Sequence, residues 1–140
     1  MRRLALAAAL FAACASPAFA ADPVEGDWLT QTGSGKVRIA PCAQRPDRLC
    51  GAIFWLRDPA DARATDINNP DPALRKRPIL GLLMIRDFRQ AAPGRWTGGR
   101  IYDPNTGKTY DSKISLSPNG ALKVEGCILM VCQAQTWKRS

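Results

Sequence analysis

Between residues 66 and 77 the chain places four oxygen-bearing side chains and two guanidinium groups close together: Asp66, Asn68, Asn69, Asp71, Arg75 and Arg77. The carboxylates and amides are hard oxygen donors of the kind calcium takes. Their spacing is not that of an EF-hand loop, and Pro70 and Pro72 restrict the backbone between them. Asp and Asn ahead of proline more often cap turns and satisfy loop amides. Arg75 and Arg77 carry the planar fork that grips a carboxylate or phosphate, so an anionic ligand is the second candidate. Against it stands an internal ion pair with Asp66 or Asp71 that would pin the segment down. Asp66, Asn69, Asp71, Arg75 and Arg77 are therefore the candidate ligand-binding residues, with no metal and no cofactor assigned.

The chain has no histidine. That removes histidine-based triads, histidine general bases and histidine metal ligands. Asp103, Lys108 and Tyr110 could suggest acid–base work, but they flank a hairpin turn, where turn formation and cross-strand pairing call for such residues. No phosphate-cradling glycine loop, nucleophile elbow or dinucleotide fingerprint is present. The chain is not expected to be an enzyme.

The elements that must position these residues are short and alternate with period two. Segments 26–30, 36–39, 51–56, 79–88, 96–102, 110–116, 122–125 and 133–138 each read as a strand bounded by Gly, Pro, Asn or Asp. Val37 and Ile39 face one way while Lys36 and Arg38 face the other. Asp103-Pro104-Asn105-Thr106-Gly107 and Ser117-Pro118-Asn119-Gly120 are hairpin turns. Eight antiparallel strands without a long helix predict an all-β, up-and-down barrel, which removes the exposed edges that an open sheet must protect. A β-sandwich is the alternative. Trp28, Trp55, Trp96 and Trp137 are expected to pack in the core and at the barrel ends.

Segment 57–78 breaks the regularity, at 22 residues of connection. Asp58-Pro59 and Asp71-Pro72 each put an N-cap ahead of proline at the first helical position, which predicts two single helical turns. The strand after it is apolar on both faces. Ile79, Leu83 and Ile85 lie on one and Leu80, Leu82 and Met84 on the other, so one face needs a cover from this loop or from a second copy of the chain.

The N-terminus sets the expected compartment. Arg2 and Arg3 precede an apolar run, and Ala18-Phe19-Ala20 forms a small-x-small cleavage site, so residues 1–20 read as a signal peptide. The run is too short to span a bilayer. Phe11-Ala12-Ala13-Cys14 loosely matches a lipoprotein box, which makes anchoring at Cys14 the alternative. Cleavage leaves residues 21–140 as one domain, periplasmic or secreted and not integral to a membrane. The formal charge of +8 falls to +6 when Arg2 and Arg3 leave. Spread along a chain outside the cytoplasm, that surplus points to anionic envelope components and not to nucleic acid.

Four cysteines remain: Cys42, Cys50, Cys127 and Cys132. An even number in an exported chain of this size reads as two disulfides. Of three connectivities, spacing favours Cys42–Cys50 and Cys127–Cys132, each across a turn. A four-thiolate zinc site is the rival, with spacing too wide at the first pair.

Two features resemble the calycins, the superfamily of lipocalins and fatty-acid-binding proteins. Gly26-Asp27-Trp28 opens the first strand, and Trp137-Lys138-Arg139 closes the last. The resemblance implies that Arg139 packs over Trp28 and plugs one end, with a guanidinium stacked on indole. The chain also resembles a bacterial family, domain of unknown function 2147. The resemblance runs through Leu49-Cys50-Gly51, Asp66-x-x-Asn69-Pro70-Asp71-Pro72, Leu74-Arg75-x-Arg77-Pro78, Gly81, Trp96-x-x-Gly99-x-Ile101-Tyr102-Asp103-Pro104, Gly107-Lys108-x-Tyr110 and Gly126-Cys127. It departs at Ile128-Leu129, where similar proteins often carry a glycine. What it implies is an exported, calycin-like barrel. The expected role is a binding module for one small apolar, amphipathic or anionic ligand. The alternative is an envelope-interaction or structural protein acting through its basic surface and the 57–78 loop.

Overall fold

The computed structural model describes residues 20–140. The segment read as a signal peptide, with Cys14, lies outside the described residues apart from Ala20. The strands are β1 (Gly26–Leu29), β2 (Gly35–Cys42), β3 (Arg45–Leu56), β4 (Leu83–Ala92), β5 (Arg95–Asp103), β6 (Lys108–Leu116), β7 (Leu122–Ile128) and β8 (Val131–Arg139). Each is antiparallel to its chain neighbours, and β8 returns to β1, so the sheet is a closed eight-stranded barrel. Between β3 and β4, one helical turn, α1 (Pro59–Ala62), and one 3₁₀ turn (Pro72–Leu74) form at the two Asp-Pro pairs. The Asp58 and Asp71 carboxylates accept from Ala60 N at 2.8 Å and Ala73 N at 2.9 Å, satisfying amides that a first turn leaves open.

Strand boundaries depart from simple alternation where bulges intervene. β3 begins at Arg45, not at Gly51, because a two-residue turn after Cys42 lets the chain pair back immediately. The Cys42–Cys50 disulfide lies within that hairpin, and Cys127–Cys132 lies within the β7–β8 hairpin. Both bridges are compatible with an exported protein. β4 begins at Leu83, not at Ile79. Ile79 and Leu82 are buried but sit in a turn, with Gly81 N donating to Ile53 O at 2.7 Å and Ile53 N to Leu82 O at 3.0 Å. Two residue steps of β3, from Leu49 to Gly51, span three of β4, from Phe88 to Ile85. That bulge, with Asp87 at φ 63°, turns both Ile85 and Phe88 inward. The uncovered apolar face anticipated there is thereby reduced to Leu83 and the half-buried Leu80 and Met84.

Trp55 is the one tryptophan outside the core. Lys36 pairs with Trp55 and Val37 with Ile53, so Phe54 is an extra residue that flips Trp55 to the outer wall. There it lies beneath the Lys36 ammonium, 5.2 Å from the ring centroid.

The chain termini close the barrel. Trp28 and Arg139 are register partners across β1 and β8, and the guanidinium carbon lies 3.9 Å from the indole centroid. Arg139 donates to Glu25 O at 2.7 Å and to Pro23 O at 2.5 Å, while Trp28 Nε1 donates to Val24 O at 2.8 Å. A Cβ at Gly26 would stand 2.7 Å from an Arg139 nitrogen, and its φ of +119° also suits glycine alone. Residues 22–25 cross this end, since Asp22 accepts from Gln90 Nε2 at 2.9 Å and from Gly94 N at 3.1 Å beside the β4–β5 turn. β5 is diametrically opposite β1 in the ring, so the segment forms a floor. Above it Trp28, Trp137, Phe88, Leu49, Ile114 and Leu122 are all buried and pack the lower barrel.

Arg139→Ala removes a cation–π contact and two carbonyl bonds from an exposed site. It is expected to lower stability by about 1–2 kcal/mol, as read by urea unfolding. Arg139→Lys should recover only part of this, because an ammonium cannot serve both carbonyls while lying flat on the indole.

Candidate functional site

Only the lower half of the barrel is solid. The other end holds a cavity of about 900 Å³. Val37, Ile53, Ile79, Ile101 and Val124 make its wall largely apolar, with Tyr110, Gln133 and Gln135 adding polar groups, and Thr32, Ser34, Asn68 and Asn105 of the surrounding turns make its rim polar. Gly126 explains part of the space. A Cβ there would meet nothing closer than 3.6 Å, so an inward position on β7 that could carry a side chain carries none. The mouth is built from the β1–β2 connection, the 57–78 loop, the β5–β6 turn and the β7–β8 hairpin, all on the side opposite the Arg139 floor.

The cavity also opens sideways. β1 pairs with β8 only through Trp28–Arg139 and Leu29–Lys138. Beyond that point Gln31 Oε1 accepts from Thr136 N at 2.8 Å, a single side-chain bond in place of a ladder. Among the described residues, no strand pairs with the β1-facing edge of β8 between Val131 and Gln135. The facing residues Thr30–Ser34 and Val131–Gln135 both contribute to the cavity lining.

The sequence-derived residues lie in the loop that roofs this mouth, and they bond chiefly to one another. Asp66 is fully buried. One carboxylate oxygen accepts from Tyr102 Oη at 2.6 Å, and the other from Asn69 Nδ2 at 2.8 Å and Arg77 Nε at 2.9 Å, with Arg77 Nη2 at 2.8 Å. Asn69 Oδ1 accepts from Asp71 N and Asn69 O from Arg75 Nε, each at 2.8 Å. The five residues thus converge, with the acid held by three donors. Among the described residues, no group of three or more Cys, Asp or Glu side chains is placed to share a metal ion. Asn68 points the other way and donates to Pro104 O at 3.1 Å and Asn105 O at 3.0 Å, fastening the loop to the β5–β6 turn. Gly107 permits this approach, since any Cβ there would overlap the Asn68 carbonyl. Asp103 spends its carboxylate on Asn105 N and Thr106 Oγ1 of its own turn, each at 2.9 Å.

Tyr102 is the partner that sequence reasoning missed. It lies 36 residues from Asp66, and its inward alternation marks it only as core. The gap in the β1–β8 ladder was equally invisible, because both flanking segments read as ordinary strand ends.

The electrostatics follow from burial. Desolvation pushes the Asp66 carboxyl up, but the bonds from Tyr102, Asn69 and Arg77 outweigh it and hold the group below its ordinary 3.8. Tyr102, buried and facing that carboxylate, is pushed up to about 12. Removing Asp66 strands a buried phenol and leaves Arg77 half exposed, so Asp66→Ala is expected to cost about 2–3 kcal/mol by urea unfolding. The Asp66 contribution is complete above pH 3.8 and is lost as pH falls through the lower folded value. The Tyr102 contribution is complete below its ordinary 10.0 and is lost between there and about 12. Tyr102→Phe should abolish the alkaline loss in a pH series of melting temperatures.

Comparison with known proteins agrees with this geometry. A solved structure of a Helicobacter pylori protein, described as belonging to the lipocalin family, superposes with a TM-score of 0.74 at 23% identity. The match covers 84% of this chain and 82% of that one, and it establishes a shared fold. No curated protein matches the sequence. Residues 26–139 match the family model described as "Uncharacterized protein conserved in bacteria (DUF2147)". With the barrel, its plugged floor and the Trp28–Arg139 closure in place, the chain belongs to the DUF2147 family and has a lipocalin-like fold.

Proposed function

We propose that the protein binds one small amphipathic molecule in the hollow half of its barrel. The observation that carries this is the cavity of about 900 Å³, within the size range of small-molecule sites. An eight-stranded barrel is either filled by its own side chains or holds one small ligand, and here each condition occupies one end. The apolar wall suits a chain or ring system, and the polar mouth suits a head group that stays near water. The reading involves no catalytic step. It rests on the absence of histidine from the sequence and on the engagement of Cys42, Cys50, Cys127 and Cys132 in disulfides.

The alternative is an envelope-interaction protein working through the 57–78 loop. It gains less support, because Asp66, Asn69, Arg75 and Arg77 direct hydrogen bonds at one another and not outward.

Gly126→Leu tests the cavity directly. Its Cβ would sit in ordinary contact with Ile101 and Tyr110, 3.6 and 3.7 Å away, and the backbone there is not left-handed, so the fold is expected to persist with a nearly unchanged melting temperature. Native mass spectrometry should show a co-purified small molecule on the wild type and none on the variant. In a fluorescence titration with a medium-chain fatty acid, the variant should bind at least about tenfold more weakly. Equal binding by both proteins would place the ligand outside the barrel and sink the reading.

A further inference from the structure

At the mouth, the β7–β8 hairpin ends in four consecutive apolar residues turned to solvent. Ile128 is 64% exposed, Leu129 92%, Met130 96% and Val131 72%. Two-residue hairpin turns favour Asn and Gly because they need left-handed backbone. Here Leu129 holds that conformation, at φ 53°, where a residue with a side chain is uncommon. The turn therefore accepts strain and exposes two large apolar side chains, at a position where Asn or Gly would relieve both. The Cys127–Cys132 disulfide spans the base of the tip and ties its two strands together. Ile67, 66% exposed on the 57–78 loop, lies on the rim of the same mouth as Ile128 and Val131. On its β6 side the tip borders a shallow groove with Arg100 and Lys108. Arg100 is paired with Asp111, whereas Lys108 has no acidic partner among the described residues.

We infer that this tip is a lipid-docking element, which seats the barrel mouth on an anionic membrane surface. An apolar knob cross-linked at its base and bordered by a cation without an acidic partner among the described residues fits the headgroup–acyl boundary. Leu129, Met130 and Ile67 enter the acyl layer while Lys108 remains among phosphates. The formal charge of +6 left once Arg2 and Arg3 are excluded adds a long-range attraction to the same surface. Docking in this pose would point the mouth at the bilayer and leave the side opening between Thr30–Ser34 and Val131–Gln135 at its edge. The docking surface is outside the barrel and does not depend on the cavity being occupied.

The test is co-sedimentation of the protein with vesicles of phosphatidylcholine alone and of phosphatidylcholine mixed equally with phosphatidylglycerol. The wild type should bind the mixed vesicles and bind the neutral ones more weakly. Leu129→Ser combined with Met130→Ser should lower the partition coefficient at least about tenfold, with an unchanged melting temperature, since both side chains are already in water. Lys108→Gln should weaken binding to the mixed vesicles alone. Gly126→Leu should bind vesicles like the wild type, which separates failure of this inference from failure of the cavity reading. A tip variant that sediments as well as the wild type would overturn the inference. So would a wild type that ignores vesicles and forms a dimer which the tip variant dissolves, because the tip would then be a self-association surface.

Discussion

Closure of the sheet at the chain termini is the constraint on which the remaining structure depends. A barrel exists only if its first and last strands meet, and here they meet over two residue pairs. So short a ladder contributes little by itself, and the stack of Arg139 on Trp28 reinforces it, with Ser140 N donating to Asp27 O at 2.9 Å beyond it. The guanidinium also takes the carbonyls of Pro23 and Glu25, which anchors the floor segment. One side chain therefore ties the last strand, the first strand and the plug together. Shortness has a second consequence: above Leu29 the strands part, and the wall opens where the cavity lies.

The two ends of the barrel solve opposite packing problems with the same alternation. At the floor, inward positions carry tryptophan, phenylalanine and leucine, and volume is used up. Toward the mouth, inward positions carry valine, isoleucine and the empty Gly126, and volume is left over. A hollow end needs rigid walls, because an unsupported loop would fall into it. The Asp66 cluster meets that need by burying a charge with a full set of donors, an arrangement whose value lies in position more than in net stability. Asn68 and the Cys127–Cys132 bridge hold two other parts of the rim in the same way.

The recognisable side chains of the 57–78 loop are thus framework for a site made of unremarkable residues. Carboxylates and guanidiniums drew attention as candidate ligand-binding groups because they are chemically conspicuous. In the fold they face one another, while the space suited to a ligand is bounded by valines, isoleucines and glutamines. Binding sites for apolar molecules are marked by absent volume, and a sequence records side chains and not the gaps between them.

Much of the fold was legible in the residues. Period-two alternation with turn residues between runs placed eight strands, and the spacing of cysteines predicted both disulfides. Asp58-Pro59 and Asp71-Pro72 located both helical turns. These are local signals, carried by backbone preference, side-chain parity and covalent reach. The closure of Arg139 over Trp28 is not local, and it was anticipated through the resemblance of the chain's two ends to the calycins. Non-local geometry decided the rest. Bulges at Phe54 and Asp87 changed which residues face inward, because one extra residue inverts parity for all that follow. The pairing of Asp66 with Tyr102, the half-length ladder between β1 and β8 and the hollow above Val124 each depend on strands distant in sequence. The sequence alone determined that these strands form and how most of them alternate. Only the tertiary structure decided which end of the barrel is full and which is open, because that depends on how inward volumes from all the strands add up at each level.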